Sequence, residues 1–201
     1  MMAQRNIGVL ALQGAVEAHL SHLEQLGATL RRVRLPDDLS GLDGLILPGG
    51  ESTTLLRLMD AYGLKDPLVA FAQRHPVWGI CAGAILLAQH VEQPAQDSLK
   101  LLPITLQRNA YGRQNESFMA QLTLNLPGQA PQTIEGVFIR APRISHLAPE
   151  VTVLARHQDD PVAVQYHHLL VSTFHPELSP SLALHRHFLA LCQQQSLSAS
   201  A

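Results

Sequence analysis

The feature that most restricts the fold of this chain is an alternation of strand-like and helix-like patterns over its first 90 residues. Short apolar runs that predict buried strands lie at residues 7–12, 42–47 and 77–80, and a further strand is predicted at 29–33. Uninterrupted apolar runs of this length are typical of parallel strands that are covered on both faces. Apolar residues recur at helical spacing over residues 16–26 and 53–61. A strand that is followed repeatedly by a helix predicts an α/β fold.

Local signals predict two more helices in this half of the chain. Asp66 followed by Pro67 is typical of an N-cap and a first helical position. The other helix is expected from Ala84 to about residue 90.

The second half of the chain changes to strand after strand. The predicted strands lie at residues 101–106, 118–124, 137–140, 151–155, 162–165 and 169–174. A last helix is predicted to begin at Ser179 and Pro180. Its apolar face carries Leu184, Phe188 and Leu191. We therefore expect a doubly wound mixed sheet with an antiparallel section inserted late in the sequence.

The length and hydrophobicity of the chain suit one domain. At 201 residues and 46% hydrophobic, the chain can bury an α/β core on both faces of a sheet. We expect a single domain over residues 1–195 and a disordered Ser- and Ala-rich tail over residues 196–201.

Composition also excludes several classes of partner. Lys and Arg total 14 against 16 Asp and Glu, and no basic run could neutralise a row of phosphates, so we expect no nucleic acid partner. No apolar run approaches the roughly 20 residues that a membrane-spanning helix needs, so we expect no membrane partner. The first residues lack the cleavage pattern of a signal peptide. Two cysteines, Cys81 and Cys192, are too few for a disulfide framework, and we expect a cytoplasmic location.

The segment Gly79-Ile80-Cys81-Ala82-Gly83 places a thiol where a predicted strand meets a predicted helix. Small neighbours permit a sharp turn that leaves the middle side chain exposed. Backbone N–H groups and the positive dipole end of the helix favour the thiolate form of Cys81. Cys81 is therefore a candidate nucleophile. The alternative is a buried cysteine between glycines that close packing requires.

A candidate base and its orienting carboxylate lie in Phe174-His175-Pro176-Glu177. Pro176 biases His175 toward an extended conformation, which places the side chains of His175 and Glu177 on the same side of the chain. His175 could then take a proton from Cys81 and return it, while Glu177 holds the imidazole. The alternative is a loop histidine beside a carboxylate at a helix entry.

The segment Pro-Gly-Gly-Glu-Ser at residues 48–52 supplies a candidate oxyanion hole. Glycines after a strand let backbone N–H groups turn toward a developing negative charge without obstruction by Cβ. We assign Gly50 and Ala82 as the donors. The segment is also compatible with a simple strand-to-helix turn in which Ser52 is the N-cap.

Several segments together resemble one protein family. They are Leu-Gln-Gly-Ala at 12–15, Leu-Pro-Gly-Gly-Glu-Ser-Thr-Thr at 47–54, Gly-Ile-Cys-Ala-Gly at 79–83, Arg-Asn-Ala-Tyr-Gly-Arg-Gln at 108–114, Val-Phe-Ile-Arg-Ala-Pro at 137–142 and Phe-His-Pro-Glu at 174–177. With them the chain resembles, nearly end to end, the glutaminase subunits of pyridoxal phosphate synthases, which belong to the class I glutamine amidotransferases. The G-x-C-x-G and H-P-E elements mark the wider class, and the segments at 47–54, 108–114 and 137–142 point to these subunits.

The resemblance implies a flavodoxin-like class I glutamine amidotransferase domain, a three-layer α/β fold whose mixed sheet has helices on both faces. It implies that Cys81, His175 and Glu177 form a catalytic triad that hydrolyses L-glutamine to glutamate and ammonia through a thioester. The glutamine-binding residues would be Gly50, Glu51, Ser52, Arg108, Ile139 and Arg140. Ammonia would pass to a separate (β/α)₈ synthase subunit that makes pyridoxal 5'-phosphate. The alternative for the two arginines is an exposed position at a strand end.

The 11 histidines raise the question of a metal site, since His19 and His22 have helical i, i+3 spacing. No Cys pair or H-E-x-x-H motif accompanies them, and His185 and His187 lie on different faces of a predicted helix, so we expect no metal. The chain also lacks a phosphate-binding glycine loop, and we expect no cofactor. Cys192 is most simply a core residue of the last helix.

Three other functions stay open on the sequence alone. They are a different amidotransferase subunit, a cysteine hydrolase or stress protein built on a similar turn, and a regulatory module that binds glutamine without turnover. The H-P-E element near the end of the chain disfavours the second, and the complete triad disfavours the third.

Overall fold

A computed structural model of the chain describes residues 4–108, 110 and 117–199, with the backbone alone over 196–199. The strands are β1 (Asn6–Leu10), β2 (Thr29–Val33), β3 (Gly44–Leu47), β4 (Val77–Ile80), β5 (Ala88–Glu92), β6 (Leu102–Gln107), β7 (Ser117–Leu124), β8 (Gln132–Ile139), β9 (Arg143–Leu147), β10 (Thr152–His157), β11 (Asp160–Tyr166) and β12 (Leu169–Ser172). The helices are α1 (Glu17–Gln25), α2 (Ser52–Ala61), α3 (Lys65–Ala72), α4 (Ala82–Leu87) and α5 (Ala183–Ala199).

The centre of the fold is a seven-stranded mixed sheet with the order β2-β1-β3-β4-β12-β11-β10. The first five strands in this order are parallel. Strand β11 pairs antiparallel with β12, and β10 pairs antiparallel with β11. Two small sheets stand beside it, β5-β6-β9 and the antiparallel pair β7-β8. Because β12 lies between β4 and β11, the end of the chain is brought next to the end of β4.

Side chains of the central strands alternate between two cores, as the two-residue period of a strand requires. In β3, Leu45 and Leu47 face one core and Ile46 faces the other. The first core packs against α2, α3 and α4 through Met59, Leu68 and Leu86. The second packs against α1 and α5 through Leu23, Leu184 and Phe188. The α/β fold with a mixed sheet and helices on both faces is therefore confirmed.

The sequence analysis misplaced one helix end and missed two strands, β5 and β9. The helix expected up to residue 90 ends at Leu87, and Ala88–Glu92 forms β5, which pairs in parallel with β6. The Ala88 carbonyl accepts a hydrogen bond from the Ser98 hydroxyl at 2.6 Å, so contacts distant in sequence override the local helical pattern. Strand β9 was missed because only Ile144 among its five residues is buried. Strand β8 begins at Gln132 rather than at 137.

Two predicted helix starts were also wrong. Helix α3 begins at Lys65, so Asp66 and Pro67 lie inside its first turn, where proline is tolerated because the N–H it lacks would have no partner within the helix. Helix α5 begins at Ala183, whose N–H is accepted by the Ser181 hydroxyl at 3.3 Å. Ser179, expected near its start, instead ends a short 3₁₀ turn over Pro176–Leu178.

Helix α5 continues beyond the domain end expected at residue 195. The backbone is helical to Ala199, and residues 200 and 201 lie outside the described residues. The single domain and the disordered tail stay predictions. Within the described ranges, no helix has the length and apolar character needed to cross a membrane.

Candidate active site

Cys81 occupies a strained turn between β4 and α4. Its backbone dihedrals are φ 52° and ψ −102°, a region that residues other than glycine rarely enter. The Cys81 N–H donates to the Ser172 carbonyl at 2.9 Å, and the Cys81 carbonyl accepts from the Ile85 N–H at 3.2 Å. The end of β12 and the first turn of α4 therefore hold the thiol in this conformation.

The glycines on either side of Cys81 are required for close packing. A Cβ on Gly79 would lie 2.5 Å from the carbonyl oxygen of Gly83, and a Cβ on Gly83 would overlap the carbonyl oxygen of Leu47. Both obstacles are backbone atoms, which cannot move aside as a side chain can. The glycines therefore let α4 approach β3 and β4 closely enough to place the thiol at the carboxyl ends of the strands.

His175 and Glu177 form a buried pair next to this turn. His175 Nδ1 lies 2.7 Å from Glu177 Oε1, and His175 and Cys81 line the same pocket. Burial lowers the pKa of His175, but hydrogen bonds to Cys81 and Glu177 and their negative charges outweigh it and raise the pKa to about 10. Burial opposes ionisation of Glu177, yet its hydrogen bond to His175 keeps the net pKa below the usual value. The arrangement favours an imidazolium held by a carboxylate.

A pocket of about 350 Å³ opens beside the thiol. Its lining contains every predicted site residue except Glu177, which lies behind His175: Gly50, Glu51, Ser52, Cys81, Ala82, Arg108, Ile139, Arg140 and His175. A larger cavity of about 390 Å³ lies near the amino ends of β1 and β2 and contains none of the triad side chains.

The predicted oxyanion donors Gly50 and Ala82 both face this pocket. Ala82 is the first residue of α4, so its N–H is one of the donors that have no partner within the helix. Gly49 lies against His175, since a Cβ on Gly49 would overlap the imidazole ring. The Gly49 carbonyl packs on Gly14 so closely that a Cβ on Gly14 would overlap the oxygen. The loop that contains Gly49 therefore packs tightly between the segment after β1 and His175.

Glu51, rather than Ser52, is the N-cap of α2. Its carboxylate accepts hydrogen bonds from the N–H groups of Thr53 at 3.1 Å and Thr54 at 2.7 Å. The Thr54 hydroxyl is the largest influence on the pKa of Glu51, which falls to about 2 although burial opposes the change. Arg108 Nη2 approaches the same carboxylate at 3.3 Å. Ser52 is buried and donates its hydroxyl to Gln96 at 2.9 Å.

The remaining lining comes from β6 and the β7-β8 hairpin. Arg108 follows β6, and its N–H donates to the Glu92 carbonyl at 3.0 Å. Ile139 ends β8, and its carbonyl lies 3.9 Å from the Cys81 sulfur. Arg140 has φ 44° and extends the pocket beyond the hairpin. In the segment predicted at 108–114, residues 109 and 111–114 lie outside the described residues.

Two pocket residues were missed as site residues. Gln13 accepts a hydrogen bond from the Glu51 N–H at 2.9 Å through Oε1, and Ile85 lies one turn after the thiol in α4. Gln13 lies within the Leu-Gln-Gly-Ala segment at 12–15, and its place after a strand that ends at the site could have indicated it. Ile85 carries no local signal that separates it from other apolar residues of its helix.

Comparison with known proteins places these features in one family. The family model of the SNO glutamine amidotransferase family matches residues 9–194. A pyridoxal 5'-phosphate synthase subunit PdxT from Deinococcus radiodurans is 50% identical over 197 residues, which cover 94% of this chain and 98% of the relative. The PdxT subunit of Geobacillus thermodenitrificans is 47% identical over 94% of this chain and 95% of the relative.

Solved structures agree with the fold. A crystal structure described as a glutamine amidotransferase aligns with a TM-score of 0.86 and 43% identity, covering 93% of this chain and 98% of that chain. The structure of PurLQS from Thermotoga maritima aligns with a TM-score of 0.67 at 16% identity, covering 98% of this chain and 99% of that chain, and supports the fold alone.

Proposed function

Because the chain belongs to the SNO glutamine amidotransferase family, we propose that it is the glutaminase subunit of a pyridoxal 5'-phosphate synthase. The observation that carries the proposal is the buried His175–Glu177 pair, whose imidazole lines the same pocket as the Cys81 thiol. Charged groups that complement an amino acid line the same pocket. A nucleophile, a base and an orienting carboxylate in this order are the parts that acyl transfer requires.

Glutamine recognition follows from the charges of the pocket. The guanidinium groups of Arg108 and Arg140 complement the α-carboxylate, and the Glu51 carboxylate complements the α-ammonium. The carbonyl of Ile139 and the backbone at Gly50 supply further polar partners. Ser52 contributes by fixing the start of α2, since its own hydroxyl is engaged with Gln96. This orientation directs the carboxamide carbon toward Cys81.

The reaction proceeds through a thioester. The Cys81 sulfur attacks the carboxamide carbon, and the N–H groups of Gly50 and Ala82 stabilise the resulting oxyanion. When the C–N bond breaks, His175 gives its proton to the leaving nitrogen, which departs as ammonia. Water, deprotonated by His175, then attacks the thioester and releases glutamate and the thiolate. Glu177 keeps the imidazole oriented through both steps.

The ammonia is passed to a (β/α)₈ synthase subunit, which uses it to make pyridoxal 5'-phosphate. We place the complex in the cytoplasm, where reducing conditions keep the Cys81 thiol available.

Glutamate release from glutamine, measured with and without the synthase subunit, tests the proposal. Wild-type chain with synthase should release glutamate, and Cys81→Ala should abolish release while the protein still binds glutamine. Cys192→Ala is the matched control, because Cys192 is a buried thiol of α5 outside the pocket, and it should keep activity. Substantial turnover by Cys81→Ala, or none by the wild-type complex, would contradict the proposal.

A further inference from the structure

The catalytic carboxylate has a second, buried face that the triad does not use. Glu177 Oε1 faces His175, whereas Oε2 has no hydrogen-bond partner among the described residues. His19 Nε2 lies 3.9 Å from Oε2, and it too is buried without a hydrogen-bond partner among the described residues. The side chains of both residues are fully buried. Unpaired polar atoms in such a place are uncommon and call for an explanation.

The other ring nitrogen of His19 contacts a second histidine. It projects from α1, and its Nδ1 lies 3.1 Å from Nε2 of His185 on α5. Trp78 packs edge-on against both rings, with centroid distances of 6.2 Å to His19 and 4.9 Å to His185. The sequence analysis did not link these two histidines, because their positions are 166 residues apart.

The number of protons on each imidazole determines the direction of the hydrogen bonds between His185, His19 and Glu177. A neutral imidazole has one N–H and one acceptor nitrogen. If His19 donated from Nδ1 to His185, the N–H of His185 would be buried at Nδ1 without an acceptor, and the His19 Nε2 lone pair would face the Glu177 carboxylate. In the opposite direction, His185 Nε2–H donates to His19 Nδ1, and His19 Nε2–H points at Glu177 Oε2. Only this second arrangement gives every N–H an acceptor or aims it at one.

Both histidines act as neutral groups. Burial lowers the pKa of His19 to about 4, although Glu177 raises it and His22 and His175 lower it further. Burial, together with His19 and His22, lowers the pKa of His185 to about 2. At neutral pH the negative charge of Glu177 is therefore not cancelled by His19 and stays available for the His175 imidazolium.

We propose that His19 is a positioning residue of the active site, which holds the Glu177 carboxylate by donating a hydrogen bond from Nε2 to Oε2. The inference rests on the glutaminase function proposed above. At 3.9 Å the two atoms are beyond hydrogen-bond distance, and a shift of about 1 Å brings them together. The relay then runs from Cys81 through His175 and Glu177 to His19 and His185. His19 does not line the substrate pocket, so its effect reaches the chemistry only through Glu177.

Paired substitutions test this role in the complex with the synthase subunit. His19→Gln keeps an N–H donor near the position of Nε2, whereas His19→Met keeps a similar volume without a donor. We expect His19→Met to lower kcat by about tenfold to a hundredfold with KM nearly unchanged, and His19→Gln to recover most of kcat. His22→Met is the matched control, because His22 belongs to the same cluster but bonds the Ser179 carbonyl at 2.8 Å, and its kcat should stay near wild type.

A measurement on unmutated protein covers the case in which His19→Met does not fold. Nitrogen NMR of labelled histidines, assigned with His19→Gln, should find the His19 proton on Nε2 and not on Nδ1. A proton on Nδ1, or a His19→Met variant with wild-type kcat, would overturn the inference. Absence of glutamate release by the wild-type complex would instead count against the proposed function, so the two failures are distinguishable.

Discussion

At the scale of single residues, the unusual property of the site is a histidine that stays protonated although it is buried. In the proposed reaction, this proton is the one that the leaving nitrogen receives. The pKa of about 10 depends on the Cys81 and Glu177 contacts, since burial alone would lower it. Removing either partner should therefore return the imidazole toward its neutral form.

We expect Cys81→Ala to lower the pKa of His175, because the hydrogen bond to the thiol and its charge are lost while burial remains. Histidine ring NMR over a pH titration measures this directly. In the wild-type chain the His175 signal should stay that of an imidazolium through pH 8. An unchanged pKa in the variant would show that Cys81 does not determine the protonation of the base.

Arg140 should contribute to binding more than to chemistry. Arg140 follows Ile139 in the pocket lining, and the proposed binding mode pairs it with the α-carboxylate of glutamine rather than with the carboxamide. Arg140→Ala should therefore raise KM for glutamine with a smaller change in kcat, since the interaction is similar in the ground and transition states. Arg143→Ala, which removes an arginine paired with Asp160 outside the pocket, is the control for steady-state kinetics. A collapsed kcat at unchanged KM would place Arg140 at the reacting atoms or at the partner interface.

At the scale of elements, the site depends on how closely α4 approaches β3. Gly83 is the contact point, because a Cβ there would overlap the Leu47 carbonyl and lie 2.7 Å from its carbon. The helix that carries the Ala82 N–H and the strand that leads to Gly49 and Gly50 therefore have a fixed separation.

Gly83→Ala should displace α4 and cost both stability and activity. Overpacking a tight contact typically destabilises a protein by about 1–3 kcal/mol, and the displacement would move the Ala82 N–H that we propose as an oxyanion donor. Gly128→Ala is a useful comparison, because it adds a methyl group in open space and strains only a backbone with φ 71°. Denaturant unfolding and glutamate release should both be impaired in Gly83→Ala, with activity retained in Gly128→Ala. A fully active Gly83→Ala protein would disprove the requirement.

Elements with strong local patterns could be predicted from the sequence, and those fixed by distant contacts could not. The strand at Val77–Ile80 was located correctly because three apolar side chains occupy its four positions directly before the turn at Cys81. Strand β5 was taken for helix because its pairing with β6 is invisible locally. Most pocket residues could be predicted because they lie in segments that directly follow strands, and the ends of parallel strands converge at one edge of the sheet. His19 was not linked to Glu177, because that contact joins α1 to a turn near the end of the chain.

At the scale of the whole molecule, buried neutral histidines make the fold sensitive to acid. In the folded chain the pKa of His19 is about 4 and that of His185 about 2, against 6.5 in an unfolded chain. Below pH 6.5 the unfolded chain binds protons that the folded chain does not, so stability falls with decreasing pH. His175, with its pKa raised to about 10, has the opposite effect, and its contribution is lost as pH rises from 6.5 through 10.

The free energy of unfolding should therefore decline between pH 6.5 and 4, by up to about 1.4 kcal/mol per pH unit for each histidine involved. His185→Gln keeps a donor toward His19 but does not titrate. It should therefore reduce this slope by the contribution of one histidine, up to about 1.4 kcal/mol per pH unit. His90→Gln, at an exposed position, should leave the slope unchanged. Urea unfolding at several pH values checks the prediction. Equal slopes in wild type and His185→Gln would disprove the account.

The isolated chain should be a poor glutaminase that becomes competent on docking to its synthase. Glycine permits two backbone states, so the Gly49–Gly50 peptide could present either an N–H or a carbonyl to the oxyanion, and a partner could select the first. One missing donor costs about 3 kcal/mol, or roughly a hundredfold in rate. Glutamine and synthase should then strengthen each other's binding. Calorimetric titration of synthase into Cys81→Ala protein with and without glutamine tests this, and identical affinities would exclude the coupling.

The strained backbone of Cys81 places selection for activity in conflict with selection for stability. A residue held at φ 52° and ψ −102° costs about 1–3 kcal/mol relative to a relaxed conformation, whereas glycine adopts positive φ readily. A Cys81→Gly chain would lose its nucleophile and yet tolerate the turn better. At this position the residue that best fits the backbone cannot act as a nucleophile, so drift in a lineage that no longer needed the reaction would favour loss of the thiol.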